Sequence, residues 1–276
     1  MRASSSRPAP DPPIKPGGDR GKTRPALLDL YDRAYGIGRS LWTYYGVPGR
    51  AARMDAFYGR FVRPGSLCFD IGAHVGDRSR CWSRLGARVV AVEPQPDFAR
   101  LLRLLFRRDR NVTVVEQAVA ASAGTVELRV SARTPTVTTG SAAFAAEAAL
   151  VPSFAWVDWG GRLEVPATTL DALIAVHGEP DFAKIDVEGM EHEVLAGLSR
   201  PLRALSFEFV PASLGSALAS LGRLGDLGKY EFNVAMGESL RFEFGDWIDA
   251  GAMRRWLEAR HPEGDSGDVY AVLVER

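Results

Sequence analysis

The chain has 276 residues, of which 46% are hydrophobic and 25% charged, the ordinary proportions of a folded globular protein with a core of useful size. Lys plus Arg and Asp plus Glu both total 34, and this zero net charge counts against a whole-protein nucleic-acid binder. Two cysteines, Cys68 and Cys81, exclude a disulfide framework or Cys-rich zinc site, and the lack of any long apolar run or apolar N-terminal leader predicts no membrane span and a cytoplasmic location.

Residues 1–24 hold five prolines and six basic residues and no apolar face, so they read as a disordered basic tail. Residues 25–60 carry Leu27, Leu28, Leu30, Tyr31, Tyr35, Leu41, Trp42, Tyr44 and Tyr45, interrupted by Gly36, Gly38 and Gly46. They predict an accessory segment of two or three short helices packed on the main domain, 61–276. That domain alternates strands with helices. Strands are predicted at 66–71, 88–92 and 112–115, with helices at 77–85 and 97–108 between them. A fourth, antiparallel strand is predicted at 126–130.

Residues 131–161 break the rhythm and read as an irregular insertion in which Arg133, Thr134 and Thr136 could close over an acceptor. The rhythm resumes with a strand at 163–165 and a helix at 170–176, capped by Thr168 or Thr169 and closed by Gly178. Strands at 182–185 and 205–209, helices at 190–198 and 213–221, and a hairpin of 230–235 with 269–274 complete it. Strands alternating with helices mean an α/β fold with a mostly parallel sheet.

Three segments carry chemistry. In Cys68-Phe69-Asp70-Ile71-Gly72-Ala73-His74-Val75-Gly76-Asp77 a strand runs through a glycine turn into a helix, which lets the backbone approach a ligand and offers unpaired N–H groups. The spacing is neither G-x-G-x-x-G nor a phosphate-binding P-loop. Glu93 ends the second strand, 17 residues after Gly76, and is followed by Pro94. An acid there can accept hydrogen bonds from the ribose hydroxyls of an adenosine. Lys184-Ile185-Asp186-Val187-Glu188-Gly189-Met190-Glu191 follows a third strand, and Glu208 ends a fourth. Asp186, Glu188 and Glu208 should meet at the carboxyl edge of the sheet, with His192 a weaker candidate base. Glu191 is expected simply to favour a helix N-terminus.

These segments together resemble the FkbM family of S-adenosylmethionine-dependent methyltransferases. The matching stretches are RPGSLCFDIGAHVGDRSR, VVAVEPQPDFARLL, NVTVVEQAVA, VPATTLDALI, DFAKIDVEGMEHEVLAGL and SFEF. The resemblance implies a Rossmann-like seven-stranded methyltransferase sheet with the last strand antiparallel and helices on both faces. It implies S-adenosylmethionine as cofactor and methyl transfer, usually to a hydroxyl of a sugar, glycolipid or natural product. By the same resemblance, Asp70, Gly72 and Gly76 hold the methionine end, Glu93 the ribose, Gln117 and Ala118 the adenine, Ala73, His74 and Pro94 also contact the cofactor, and Asp186 lies nearest the reacting methyl. His74 stands where the general loop often has glycine, and a hydrogen bond from it should shape the loop.

Asp186, Glu188 and Glu208 are the candidate catalytic carboxylates. No spacing demands a metal. The expected partner is a small-molecule or glycan acceptor. A nicotinamide-dependent Rossmann oxidoreductase and a non-catalytic Rossmann-fold binding module are the competing readings.

Overall fold

The computed structural model describes residues 26–130, 138–141, 144–146 and 161–274. The tail and most of the insertion, including Arg133, Thr134 and Thr136, lie outside the described residues. The N-terminal segment forms α1 (Ala26–Tyr45) and α2 (Arg50–Tyr58). Gly36 and Gly38, expected to break it, lie inside the 20-residue α1. A glycine costs a helix about 1 kcal/mol, which a long packed helix absorbs. The helix instead ends at Tyr45, just before Gly46, as expected, and Gly49, with φ 73°, precedes α2.

The chain then runs through β1 (Leu67–Ile71), α3 (Asp77–Arg84), β2 (Arg88–Val92), α4 (Pro96–Leu105), β3 (Val112–Val115), β4 (Ala118–Val119), β5 (Gly124–Val130) and β6 (Gly161–Thr168). It continues with α5 (Leu170–His177), β7 (Phe182–Ile185), α6 (Glu191–Ala196), β8 (Ala204–Phe209), α7 (Leu214–Leu227), β9 (Tyr230–Met236), α8 (Ala250–Glu258) and β10 (Gly267–Leu273). Thr169, not Thr168, caps α5 by accepting from the Ala172 N–H at 3.1 Å. Helix α8 lies where no helix was expected, and Asp249 caps it, accepting from the Ala252 N–H at 2.8 Å.

Seven strands form one sheet in the order β3-β2-β1-β7-β8-β10-β9. The strands from β3 to β8 pair in parallel, and β10 runs antiparallel to both neighbours. The last strand is thus antiparallel, as expected, and lies between β8 and β9. The strand expected at 126–130 is β5, but it joins a separate three-stranded sheet, β4-β6-β5. Only Leu128 of β5 is buried, so this strand could not sit in a sheet covered on both faces.

Alternation along the strands separates two faces. Leu67, Phe69, Ile71, Ala183, Ile185, Leu205 and Phe207 face α5 to α8. Cys68, Val89, Phe182, Ala204 and Tyr270 face the other way and pack with Met54, Phe57 and Tyr58 of α2 and Cys81 and Trp82 of α3. Asp70, Lys184, Ser206, Glu208 and Asp268 share this second register, so β-sheet periodicity alone gathers them on one face near the carboxyl ends of the parallel strands.

Candidate functional site

The sheet order reverses between β1 and β7, the switch point at which open parallel sheets bind ligands. Gly72 has φ 84°, and a Cβ there would stand 1.8 Å from the Asp186 carbonyl oxygen. The glycine loop and the β7–α6 junction therefore touch through their backbones, and the Asp186 N–H donates to Ile71 O at 2.9 Å. Asp70 is buried beneath the loop. Its Oδ2 accepts the Ser79 N–H at 3.0 Å and the Ser79 hydroxyl at 2.6 Å, which braces the first turn of α3. Burial raises its pKa to about 6, against the opposing pull of those bonds.

Glu93 is 3% exposed. Its Oε2 accepts the His74 N–H at 2.8 Å and its Oε1 accepts the Gln95 N–H at 2.9 Å. Burial raises its pKa to about 7. Each oxygen keeps a further lone pair for a hydroxyl donor. His74 does shape the loop, but through this main-chain N–H. His74 has a backbone φ of 50°, and its ring lies 4.4 Å from the Phe98 ring and 5.7 Å from that of Tyr44. Its Nε2 is buried with no hydrogen-bond partner, and burial lowers its pKa to about 4, so the imidazole is neutral near pH 7.

At the end of β7, the buried Lys184 places Nζ 2.5 Å from Asp186 Oδ2 and 3.3 Å from Asp268 Oδ1. Burial alone would raise the Asp186 pKa. The Lys184 ammonium outweighs it and holds the carboxyl below its usual range. Glu188 and Glu208 go the other way: burial, then the negative charge of Asp186, pushes both well up. One carboxylate oxygen from each of Asp186, Glu188 and Glu208 lies within 4.8 Å of the others. The three expected acids thus meet, at a spacing that can hold a divalent cation.

Glu191 does more than favour a helix end. It is buried, and it accepts the N–H groups of Val187 at 3.3 Å and Gly189 at 3.0 Å and the Ser216 hydroxyl at 2.7 Å. It therefore holds the turn that presents Glu188. His192 is half-buried, with Nε2 3.3 Å from Glu193 and Nδ1 3.4 Å from the Ser216 hydroxyl.

Another network was invisible in the sequence. Arg78 bonds both oxygens of Glu238 at 2.9 Å and Asp77 at 2.7 Å. Arg50 reaches Asp77 at 2.9 Å and Glu238 at 2.8 Å. The two guanidiniums stand 5.5 and 5.8 Å from the centre of the Tyr44 ring. Burial would raise the Glu238 pKa, but Arg78 and Arg50 bring it to about 2. Only Asp77, at a helix start, carried a local signal.

These groups surround a cleft enclosing about 970 Å³, its open mouth included. Asp70, Gly72, Ala73, His74, Glu93, Pro94, Gln117, Ala118, Asp186 and Glu188 line it, together with Tyr44, Arg78 and Lys184. Gly76 is absent from the lining, because its Cα packs toward Leu102 and Phe106. Glu208 borders a smaller hollow beside Phe144 and Ser216. Val119, Val126, Leu128 and Met190 supply an apolar wall. Acceptor oxygens at Glu93, an anion at Asp186 and this wall fit an adenosine that carries a cationic side group.

A sequence model of the methyltransferase FkbM domain matches residues 70–261. The hexuronic acid methyltransferase AglP of Haloferax volcanii is 28% identical over 153 residues, covering 54% of this chain and 56% of AglP. The chain thus matches little more than half the length of that relative. Among solved structures, precorrin-6y C5,15-methyltransferase from Geobacter metallireducens aligns over 82% of this chain and 86% of its own, with 17% identity and a TM-score of 0.44. An O-methyltransferase from Bacillus cereus in complex with SAH aligns over 90% and 97%, with 13% identity and a TM-score of 0.44. Among the described residues, no helix is long and apolar enough to cross a membrane.

Proposed function

The chain belongs to the FkbM methyltransferase family, and we propose that it moves a methyl group from S-adenosylmethionine to a hydroxyl of a sugar, glycolipid or natural product. S-adenosylmethionine, the methyl donor of that family, supplies when bound an electrophilic methyl on a sulfonium cation. Residues 61–276 form the catalytic domain in this reading, and 25–60 an added layer over the site. The hexuronic acid in the name of AglP favours a sugar acid among the acceptors.

The residues divide the work by their charge states. Glu93 accepts the ribose hydroxyls with the lone pairs left free by His74 and Gln95. The main chain of Gly72 and Ala73 takes the methionine end, and Pro94, Gln117 and Ala118 border the adenine. Asp186, kept anionic by Lys184, faces the cationic sulfur and favours its binding. A poor nucleophile such as an alkyl hydroxyl needs a base, worth a factor of about 10² to 10⁴. Glu188 and Glu208, whose proton affinities are raised, are matched to that role, and the acceptor proton passes to a carboxylate oxygen of this pair. Positioning of the hydroxyl in line with the methyl supplies much of the remaining acceleration.

The observation that carries the reading is the meeting of Glu93, Asp186 and Glu188 in one cleft at the switch point of the sheet. The test is transfer of labelled methyl to a panel of sugars, hexuronates and glycolipids, with calorimetric titration of S-adenosylhomocysteine. Saturable binding of NAD with none of S-adenosylhomocysteine would sink it in favour of an oxidoreductase.

A further inference from the structure

We propose that a second cavity, next to the cofactor cleft, binds an anionic group of the acceptor: a carboxylate or phosphate carried by the sugar. This rests on the methyltransferase reading and extends it to the acceptor class. The cavity encloses about 670 Å³, its open mouth included, between the end of α1, the start of α2 and α3. Its charged lining is Arg50, Arg80, Arg84 and Asp77.

The balance of charge there is positive. Asp77 is already matched by Arg50 at 2.9 Å and by Arg78 at 2.7 Å. Arg84 is matched by Asp55 at 2.5 Å. Arg80 is not matched: its guanidinium lies over the Tyr45 ring, 5.4 Å from the centre, and no ion pair joins it to a carboxylate among the described residues. Two further donors border the same space. Arg50, only 6% exposed, keeps a buried Nε with no hydrogen-bond partner. The nine-residue α2 begins there after Gly49, with no side chain capping its first turn. Planar guanidinium forks and free N–H groups suit an oxyanion.

The neighbouring cleft has the opposite character. Asp186, kept anionic by Lys184, and Glu93 and Asp70 on its walls favour a cation over an anion. Tyr44 and Asp77 line both spaces, so the two adjoin at these side chains. An acceptor anchored by its anion at Arg80 is thereby held beside the cleft, with its hydroxyls turned to the reacting end.

The experiment titrates the S-adenosylhomocysteine-loaded protein with 4-nitrophenyl glucuronide, the neutral 4-nitrophenyl glucoside, and glucose 6-phosphate. An anionic sugar is expected to bind about tenfold or more tightly than the glucoside, the effect of one charge-assisted pair. Arg80→Ala should abolish that preference and Arg80→Lys should restore part of it, with S-adenosylhomocysteine affinity unchanged in both. Preference for the phosphate or for the carboxylate names the source of the anion. Binding of both the glucuronide and glucose 6-phosphate no tighter than the glucoside overturns the proposal. So does a loss of S-adenosylhomocysteine affinity in Arg80→Ala, which would give the cavity to the cofactor's own carboxylate. If the native protein fails to bind S-adenosylhomocysteine, the methyltransferase reading falls, and the same three titrations on the unloaded protein decide the anion site separately.

Discussion

Lys184 and Asp268 meet across an intervening strand. Lys184 is opposite Ser206 on β8, and this small side chain lets the lysine stem pass over to β10, where Nζ comes within 3.3 Å of Asp268 Oδ1 while staying 2.5 Å from Asp186. One buried cation thus serves two carboxylates, and it decides that Asp186 is an anion facing the cleft.

Replacing the cation should be costly. In Lys184→Met both carboxylates lose their partner, at about 3–5 kcal/mol for a buried pair and toward the lower figure here, since the Asp186 side chain is 34% exposed. The sign with pH follows from the depressed pKa of Asp186. Its pairing stabilises the fold above the unfolded carboxyl value of about 3.9 and is lost as pH falls through the lower folded value. Urea unfolding should therefore show the full gap between native and variant protein at pH 7 and a smaller one at pH 3.5. An equal gap at both would refute the pairing.

Glu93 predicts how cofactor binding responds to pH. Its pKa of about 7 lies above the ordinary value of about 4.3. The ionised form, the better acceptor for ribose hydroxyls, grows as pH rises through 7. Affinity for S-adenosylhomocysteine should increase from pH 6 to pH 8 and then level off. Glu93→Gln should bind roughly tenfold to a hundredfold more weakly and lose most of that dependence. A native affinity that is flat over this range contradicts the assignment.

The acidic trio predicts a separation between base and metal roles. Glu188→Gln is expected to lower kcat by about 10² to 10⁴ and to remove the rise of rate with pH. Glu208→Gln tests the same role for the partner acid. Since both pKa values are raised, ionisation with rising pH costs stability, so each Gln variant should match or exceed native stability at pH 8. Chelation by EDTA should leave the rate unchanged if the pair acts as base. A rate abolished by EDTA and restored by Mg²⁺ would assign the trio to a cation instead.

Gly72 tests the contact between the two loops. A Cβ at φ 84° and 1.8 Å from Asp186 O forces the backbone to move. Gly72→Ala should lower Tm by several degrees, equivalent to about 1–3 kcal/mol, and abolish S-adenosylhomocysteine binding. Full binding at an unchanged Tm would show that the approach is not needed.

Much of the site was readable because its residues follow strands. Asp70, Glu93, Asp186 and Glu208 each lie at or near the carboxyl end of an apolar run, and a parallel sheet brings such ends to one edge. The helix caps at Thr169 and Asp249 are also local, and Met253, Trp256 and Leu257 give α8 a short apolar stripe at helical spacing. The separate sheet of β4, β6 and β5 was not readable. Val126 to Val130 has ordinary strand alternation, which says nothing of the partner it chooses.

The sequence by itself determined the order of elements, the glycine turn after β1 and the acids at the strand ends, because each depends on residues close together in the chain. Only the tertiary structure decided what those acids do. Ser79 occupies one oxygen of Asp70, Glu191 holds the turn of Glu188, and Glu238 meets Arg78 from 160 residues away. Burial and long-range partners set the charge of each group, and both come into being only when the strands pair and the helices close over them.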